Sequence, residues 1–141
     1  MSGKPSLWFW IVGVLLLLWN GAGVAAYIGE ATLSAEALQA LPEGQRALIA
    51  SRPAWATAAY AVAVFGGVAG CLLLLIRRRS AVPVLVLSLL GVLVQLGHAF
   101  LVADAFAVVG AAGTVLPALV LACALFEVWF ARRARVRGWL R

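Results

Sequence analysis

The chain has 141 residues, of which 65% are hydrophobic and only 11% are charged. A water-soluble domain usually carries about 25% charged residues, so this composition excludes an ordinary soluble domain. The net charge of +6 could suggest nucleic acid, but the basic residues flank apolar runs, as they do in membrane proteins, and we expect no nucleic-acid partner.

The first apolar run covers residues 7–29 and follows Lys4. The three aromatic residues at positions 8–10 are typical of a membrane interface. A basic start, an apolar stretch and the small residues Val24 and Ala26 also fit a cleaved signal peptide. The run is long enough for a full span, which favours a retained membrane anchor over a cleaved signal.

The sizeable polar segment of the chain is the loop at residues 30–53. Ser34 can cap one short helix, and Pro42 can start a second. Leucine and isoleucine residues would give both helices an apolar face. The pattern predicts either a helical lid on the outer membrane surface or a packed connecting loop, and the sequence leaves both open.

Two further apolar runs, at residues 54–76 and 81–102, are joined by Arg77, Arg78 and Arg79. As a helix, the first of them reaches about 34 Å, enough to cross a bilayer with some tilt. An arginine at the centre of a bilayer costs about 2.5–3.5 kcal/mol, so the turn is predicted to lie at an interface.

The last third of the chain predicts a fourth span at residues 114–131 and a basic tail at 132–141. Gly110 to Gly113 is predicted to be a flexible link, with Thr114 capping the span. Near the tail, Glu127 is expected to form an ion pair with an arginine, and Trp139 to dip into the headgroup region.

The distribution of basic residues predicts the orientation of the chain. Nine of the eleven lie at the start, at the arginine turn and in the tail, and two lie in the loop at 30–53. This bias predicts cytoplasmic termini and contact of the turn and tail with anionic lipid headgroups. The expected fold is all-α: one integral membrane four-helix bundle over residues 1–141.

Several short motifs together resemble a family of small bacterial four-span membrane proteins. They are Trp19-Asn20 with Gly23 and Tyr27, Pro53-Ala54-Trp55, Phe65 to Gly70 running into Leu72 to Leu75, and Ser88 to Gly91. The resemblance covers roughly residues 8–100. Members of this family are often labelled "sugar transporter", and the resemblance implies no particular catalytic or binding residue.

The sequence contains no recognisable catalytic constellation. It has one histidine, no paired carboxylates and no phosphate-binding loop. Cys71 and Cys123 both lie inside apolar runs without metal-ligand spacing, so we expect packing roles for them. We therefore expect no enzyme activity, no cofactor and no metal site.

Small residues at Ala63, Gly66, Gly67 and Gly70 form a candidate helix-packing face in the second span. Such a face allows close helix approach without a hydrophobic driving force. It is expected to contact the first or third span of the same bundle. A homo-oligomer or a larger membrane complex is the alternative.

Four polar residues inside the spans form a candidate polar cluster: Asn20, Tyr27, Gln95 and His98. If the first and third spans are adjacent, these residues line one cavity in the outer half of the membrane. The cluster predicts either interhelical hydrogen bonds or a small binding site in which His98 faces the ligand.

Two functions remain open from the sequence. The first is an accessory or scaffold protein that acts through helix packing. The second is an oligomeric transporter of a small neutral solute such as a sugar. The absence of a charged pathway across the spans favours the first.

Overall fold

A computed structural model of the chain describes residues 4–141. This part of the chain is predominantly helical and contains no strand. Four of its helices are long and apolar enough to cross a membrane, which confirms the predicted all-α four-helix bundle. These four helices make the protein a multi-pass membrane protein. Each span is a helix because a helix pairs its backbone polar groups within the segment, as lipid requires.

The first half of the structure holds one span and the two short helices of the loop. Helix α1 covers Leu7–Ala31, α2 covers Ala35–Gln39 and α3 covers Glu43–Ser51. The predicted cap of α2 is confirmed, since the backbone N–H of Ala37 donates to the Ser34 hydroxyl oxygen over 3.0 Å. No residue of α2 or α3 is buried, so these two helices add no side chain to the buried core.

The second half of the structure holds the other three spans. Helix α4 covers Ala54–Leu75, and α5 covers Ala81–Gly97 and continues as a π-helical segment over His98–Val102. Helix α6 covers Ala105–Val136. The first three spans therefore begin and end close to the boundaries that the apolar runs predict.

The start of α6 differs from the prediction. Gly110 adopts φ 69° and ψ −171°, a conformation that favours glycine, so the chain kinks there and then resumes as a helix. The Thr114 hydroxyl donates to the Gly110 carbonyl oxygen over 2.7 Å, inside the helix. The predicted interruption of the chain coincides with the non-helical Gly110, but residues 111–113 are already helical. The prediction of a Thr114 cap is wrong, because Thr114 lies inside the helix that follows Gly110.

The bundle has a serial packing order. Helix α4 packs against both α1 and α5, and α5 packs against α6. We call the end that holds residues 76–80 and 137–141 the arginine end, and the end that holds α2 and α3 the loop end. At the loop end α3 packs against the start of α6, where Gly44 lies against Val108.

The arginine end is tightly packed. Phe9, Leu74, Leu85 and Cys71 are fully buried there, together with Leu140 of the tail. The phenyl rings of Phe9 and Phe130 stack with centroids 5.9 Å apart, which joins α1 to α6.

The tail closes the arginine end by pairing with the turn. The Arg79 N–H donates to the Arg141 carbonyl oxygen over 2.9 Å, and the Arg141 N–H donates to the Arg77 carbonyl oxygen over 2.7 Å. The Trp139 ring packs edge-on against Phe9, with centroids 5.6 Å apart. This pairing turns the tail back onto the bundle, so Trp139 packs on Phe9, and its place at the depth of the headgroups stays a prediction.

The small-residue face of α4 lies inside the bundle. Gly66 lies against Ser88 and Gly70 against Leu85, both on α5, whereas Gly67 lies against Asn20 on α1. The fourth member, Ala63, is buried, and its carbonyl oxygen accepts a hydrogen bond from the Ser88 hydroxyl over 2.6 Å. The face thus serves two neighbouring helices of the same chain, as expected.

Candidate intramembrane binding site

A cavity of about 350 Å³ lies among α1, α4, α5 and α6. It occupies the half of the bundle nearer the loop end, and we call it the central cavity. Most of its wall is alanine, valine, leucine and glycine. The larger or polar side chains in its wall are Trp19, Asn20, Tyr60, Ser88, Gln95 and Glu127.

Glu127 and Asn20 form the main polar contact of the central cavity. Glu127 is only 3% exposed, and its Oε1 accepts a hydrogen bond from Asn20 Nδ2. The same amide nitrogen lies 2.8 Å from the Leu16 carbonyl oxygen and 3.5 Å from Cys71 Sγ. These contacts fix the Asn20 side chain, which in turn holds the carboxyl group in place.

Gly67 makes room for this contact. A Cβ atom at position 67 would collide with Asn20 Oδ1. A glycine of α4 is therefore needed at the point where Asn20 of α1 is positioned.

The predicted ion pair of Glu127 is wrong. Ala124, Glu127, Ala131 and Ala134 are all buried, because their spacing places them on one inward stripe of α6. The neighbouring arginines Arg132 and Arg133 are exposed, since they lie on the opposite side of the same helix. Among residues 4–141 no basic side chain forms an ion pair with Glu127.

The candidate polar cluster is divided between three places. Asn20 and Gln95 line the central cavity together. Tyr27 packs edge-on against Tyr60, with centroids 5.1 Å apart, and lines a separate pocket of about 140 Å³ at the loop end. His98 is 9% exposed and packs edge-on against Trp55, with ring centroids 5.2 Å apart.

His98 is not part of the cavity wall, so the expectation that it faces a ligand does not hold. The physical reason is the order of the helices. The main neighbour of α1 is α4, and α4 also provides the surface against which the His98 ring packs. The expectation that His98 lines the cavity assumed that the first and third spans are in direct contact.

The loop end is held by a second group of polar contacts. Arg52 forms an ion pair with Glu30, which ties the end of α1 to the start of α4. The Arg52 guanidinium group also lies over the Tyr60 ring, 5.7 Å from its centroid. Because the loop begins at α1 and α3 packs on α6, the loop reaches from α1 to α6 at this end of the bundle.

The central cavity opens sideways between α1 and α6. Ala22 and Ala26 of α1 and Leu116 of α6 line the cavity and are also exposed on the bundle surface. The extensive backbone contacts are those of α4 with α1 and of α5 with α4 and α6, whereas α1 and α6 meet through side chains, in the Phe9–Phe130 stack and the Asn20–Glu127 hydrogen bond. In a membrane this side faces lipid.

This arrangement suits recognition more than catalysis. The carboxyl group of Glu127 and the amides of Asn20 and Gln95 provide hydrogen-bonding groups in a mostly apolar chamber. No group of three His, Cys, Asp or Glu residues that could hold a metal ion occurs in the part of the chain that the structure describes. Comparisons with family models, curated proteins and solved structures found no match to this chain.

Sequence reasoning missed four of the larger or polar side chains of the wall. Trp19 and Ser88 were interpreted as parts of short motifs and Tyr60 was not a candidate, yet all three line the central cavity. Glu127 was expected to form an ion pair with an arginine near the tail. The spacing of Glu127 with three buried alanines is the signal that could have placed it inward.

Proposed function

We propose that this membrane protein binds a small, largely apolar molecule with one polar group inside the central cavity. The observation that carries the proposal is the 3% exposed carboxyl group of Glu127 in the wall of an otherwise apolar chamber. Ionisable residues inside a membrane are costly and are most often functional. The volume of about 350 Å³ is that of a small-molecule site.

The sideways opening supports entry of the ligand from the bilayer. A molecule dissolved in lipid meets the exposed walls at Ala22, Ala26 and Leu116 before it reaches the polar pair. Apolar walls then contact most of its surface, and its polar group can reach Asn20, Gln95 or Glu127. The protein would act as a binding protein or carrier for such molecules.

The chemistry of the wall favours an amphipathic molecule over a sugar. A sugar has hydroxyl groups on every side, and most of them would face alanine, valine or leucine without a hydrogen-bond partner. An accessory role was favoured by the small-residue face and by the absence of a charged pathway across the spans. That face packs inside the bundle, so the accessory role has less support than ligand binding.

For the orientation, the arginine end is proposed to face the cytoplasm of a bacterial plasma membrane. Nine of the eleven basic residues lie at or near this end, which supports the assignment. Trp129, Arg132 and Arg133 line a surface groove between α5 and α6 whose charge suits anionic lipid headgroups. The central cavity would then lie in the outer half of the bilayer.

The proposal is tested by filling the cavity. Ala26→Phe places a ring in the wall of the central cavity, whereas Ala25→Phe, one residue earlier, alters an exposed position outside the wall. The probe is tritiated triphenylphosphine oxide, a neutral molecule with three phenyl rings and one polar oxygen. Binding to the purified full chain in detergent is measured by scintillation proximity, with unlabelled compound as competitor.

We expect saturable binding to the wild type and to Ala25→Phe, and a loss of about tenfold or more in Ala26→Phe, which corresponds to ~1.4 kcal/mol. Gel filtration and circular dichroism of both variants establish that they are folded. Equal binding to both variants, or no saturable binding to the wild type, would contradict the proposed function.

A further inference from the structure

We propose that the central cavity selects molecules that carry a positive charge, and that Glu127 is the partner of that charge. This inference rests on the proposed function, because it names the chemical class of the ligand for the same cavity. Two observations support it. The Glu127 carboxyl group has few hydrogen-bond partners, and among residues 4–141 the cavity is lined by no basic residue.

The hydrogen bonding of Glu127 is incomplete. Asn20 is its one hydrogen-bond partner among residues 4–141, and it bonds to Oε1. A carboxylate can accept several hydrogen bonds on its two oxygens, so a single amide donor leaves most of its capacity unused. The remaining capacity is available to a group in the cavity, because Glu127 is part of the cavity wall.

The balance of charge in the wall favours a cation. Among residues 4–141, Glu127 is the single acidic residue of the wall, and none of the lining residues is a lysine, an arginine or a histidine. The nearest basic residues on its own helix, Arg132 and Arg133, are exposed on the other side of α6. A buried carboxylate without a counter-charge is strongly unfavourable, and a bound cation would supply that counter-charge.

The rest of the wall suits an organic cation better than a hydrated metal ion. Trp19 lines the same cavity, and the face of an indole ring attracts cations. The alanine, valine and leucine side chains would contact apolar substituents around the charge. The entrance between α1 and α6 is equally apolar, so a hydrated inorganic ion would lose its water without replacement.

The test compares two molecules of nearly the same shape. Methyltriphenylphosphonium carries a positive charge, and triphenylphosphine oxide has the same three phenyl rings but is neutral. Both are measured against the wild-type full chain in detergent by the same scintillation proximity assay. This comparison needs no variant, so it remains decisive even if a substitution were to unfold the protein.

The matched variants are Glu127→Gln and Glu36→Gln. Glutamine at 127 retains an oxygen that can accept from Asn20 but removes the charge. Glu36 is an exposed residue of α2, so Glu36→Gln removes the same charge outside the cavity. The wild type and Glu36→Gln are expected to bind the phosphonium about tenfold more tightly than the oxide, a difference of ~1.4 kcal/mol.

In Glu127→Gln this preference should fall to about one, through weaker phosphonium binding with oxide binding nearly unchanged. Equal affinities in the wild type, or a preference that survives in Glu127→Gln, would overturn the inference and leave the proposed function standing. Absence of saturable binding for both molecules would overturn the proposed function itself.

Discussion

The two halves of the bundle are built differently, although the same four helices pass through both. At the arginine end large side chains such as Phe9, Leu74 and Leu85 are fully buried. At the loop end the buried apolar cluster is small and consists of Ala63, Val92 and Ala124. The volume left unfilled in that half is the central cavity.

The difference shows how a membrane bundle can have one tightly packed half and a cavity in the other half. In lipid, helices associate through close packing and polar contacts, since there is little hydrophobic driving force between them. The arginine end has packing on all sides, including the tail that covers it. At the loop end α4 and α5 are in close contact, with Gly91 against the backbone of Ala59 and Ala63, while the contact of α1 with α6 beside the central cavity is the side-chain hydrogen bond of Asn20 with Glu127.

The largest effect is expected from the arginine end. Phe9 is fully buried against Trp10, Phe130 and Trp139, so Phe9→Ala removes contacts with both α6 and the tail. We expect a loss of about 3 kcal/mol in the free energy of unfolding, at the low end for such a change because the unfolded side chain stays in lipid. Unfolding in mixed detergent micelles measures it.

The neighbouring substitution Trp8→Ala is the control, because Trp8 is 72% exposed. Its effect should stay within about 0.5 kcal/mol. If Trp8→Ala were as destabilising as Phe9→Ala, the arginine end would not be the rigid half of the bundle.

A smaller effect is expected where the two halves meet, at Gly67. A Cβ atom there would collide with the Asn20 side chain and displace it from Glu127. We expect Gly67→Ala to lower the free energy of unfolding by about 1–3 kcal/mol, as overpacking usually does. The same variant should also weaken probe binding in the central cavity, because the polar pair is no longer fixed.

Gly21→Ala is the matched control in the first span, since a Cβ atom at position 21 would meet no atom within 4 Å. Alanine favours helix over glycine by about 1 kcal/mol, so this variant should be neutral or slightly stabilised. Unchanged stability and unchanged probe binding in Gly67→Ala would show that α1 and α4 are not in close contact at this depth.

Most of the fold could be predicted because hydropathy and the arginines delimit the spans. Helices α1, α4 and α5 begin and end near the predicted residues. The boundary of α6 could not be predicted, because a glycine such as Gly110 can end a helix or bend it. The docking of the tail was equally hidden, since the backbone pairing of Arg141 with the arginine turn leaves no signal in side-chain chemistry.

The site could be predicted only in part. Asn20 and Gln95 were found because polar residues at similar depth in two spans tend to face the bundle interior. Tyr27 and His98 were misplaced, since apolar runs do not reveal which helices are neighbours. Glu127 was misassigned because closeness along the chain to arginines says nothing about which side of the helix it occupies.

The smallest effect is expected at the loop end, from the ion pair of Arg52 with Glu30. The two side chains are 22% and 27% exposed, so solvent and salt screen their attraction. Arg52 also lies over the Tyr60 ring, whose other contacts include Tyr27. Arg52→Ala should lower the free energy of unfolding by about 0.5–1 kcal/mol, and less in high salt.

The matched control is Arg46→Ala, which removes the same charge from the loop but breaks only a hydrogen bond to Gln39 within it. Its effect should stay within about 0.5 kcal/mol. The buried apolar cluster at the loop end is small, so the ion pair is expected to act locally. Arg52→Ala should therefore speed amide exchange at the end of α1 and at the start of α4. Exchange at the arginine end should be unchanged. Faster exchange throughout the bundle would mean that the two halves unfold as one unit, and the contrast between them would then be one of packing and not of stability.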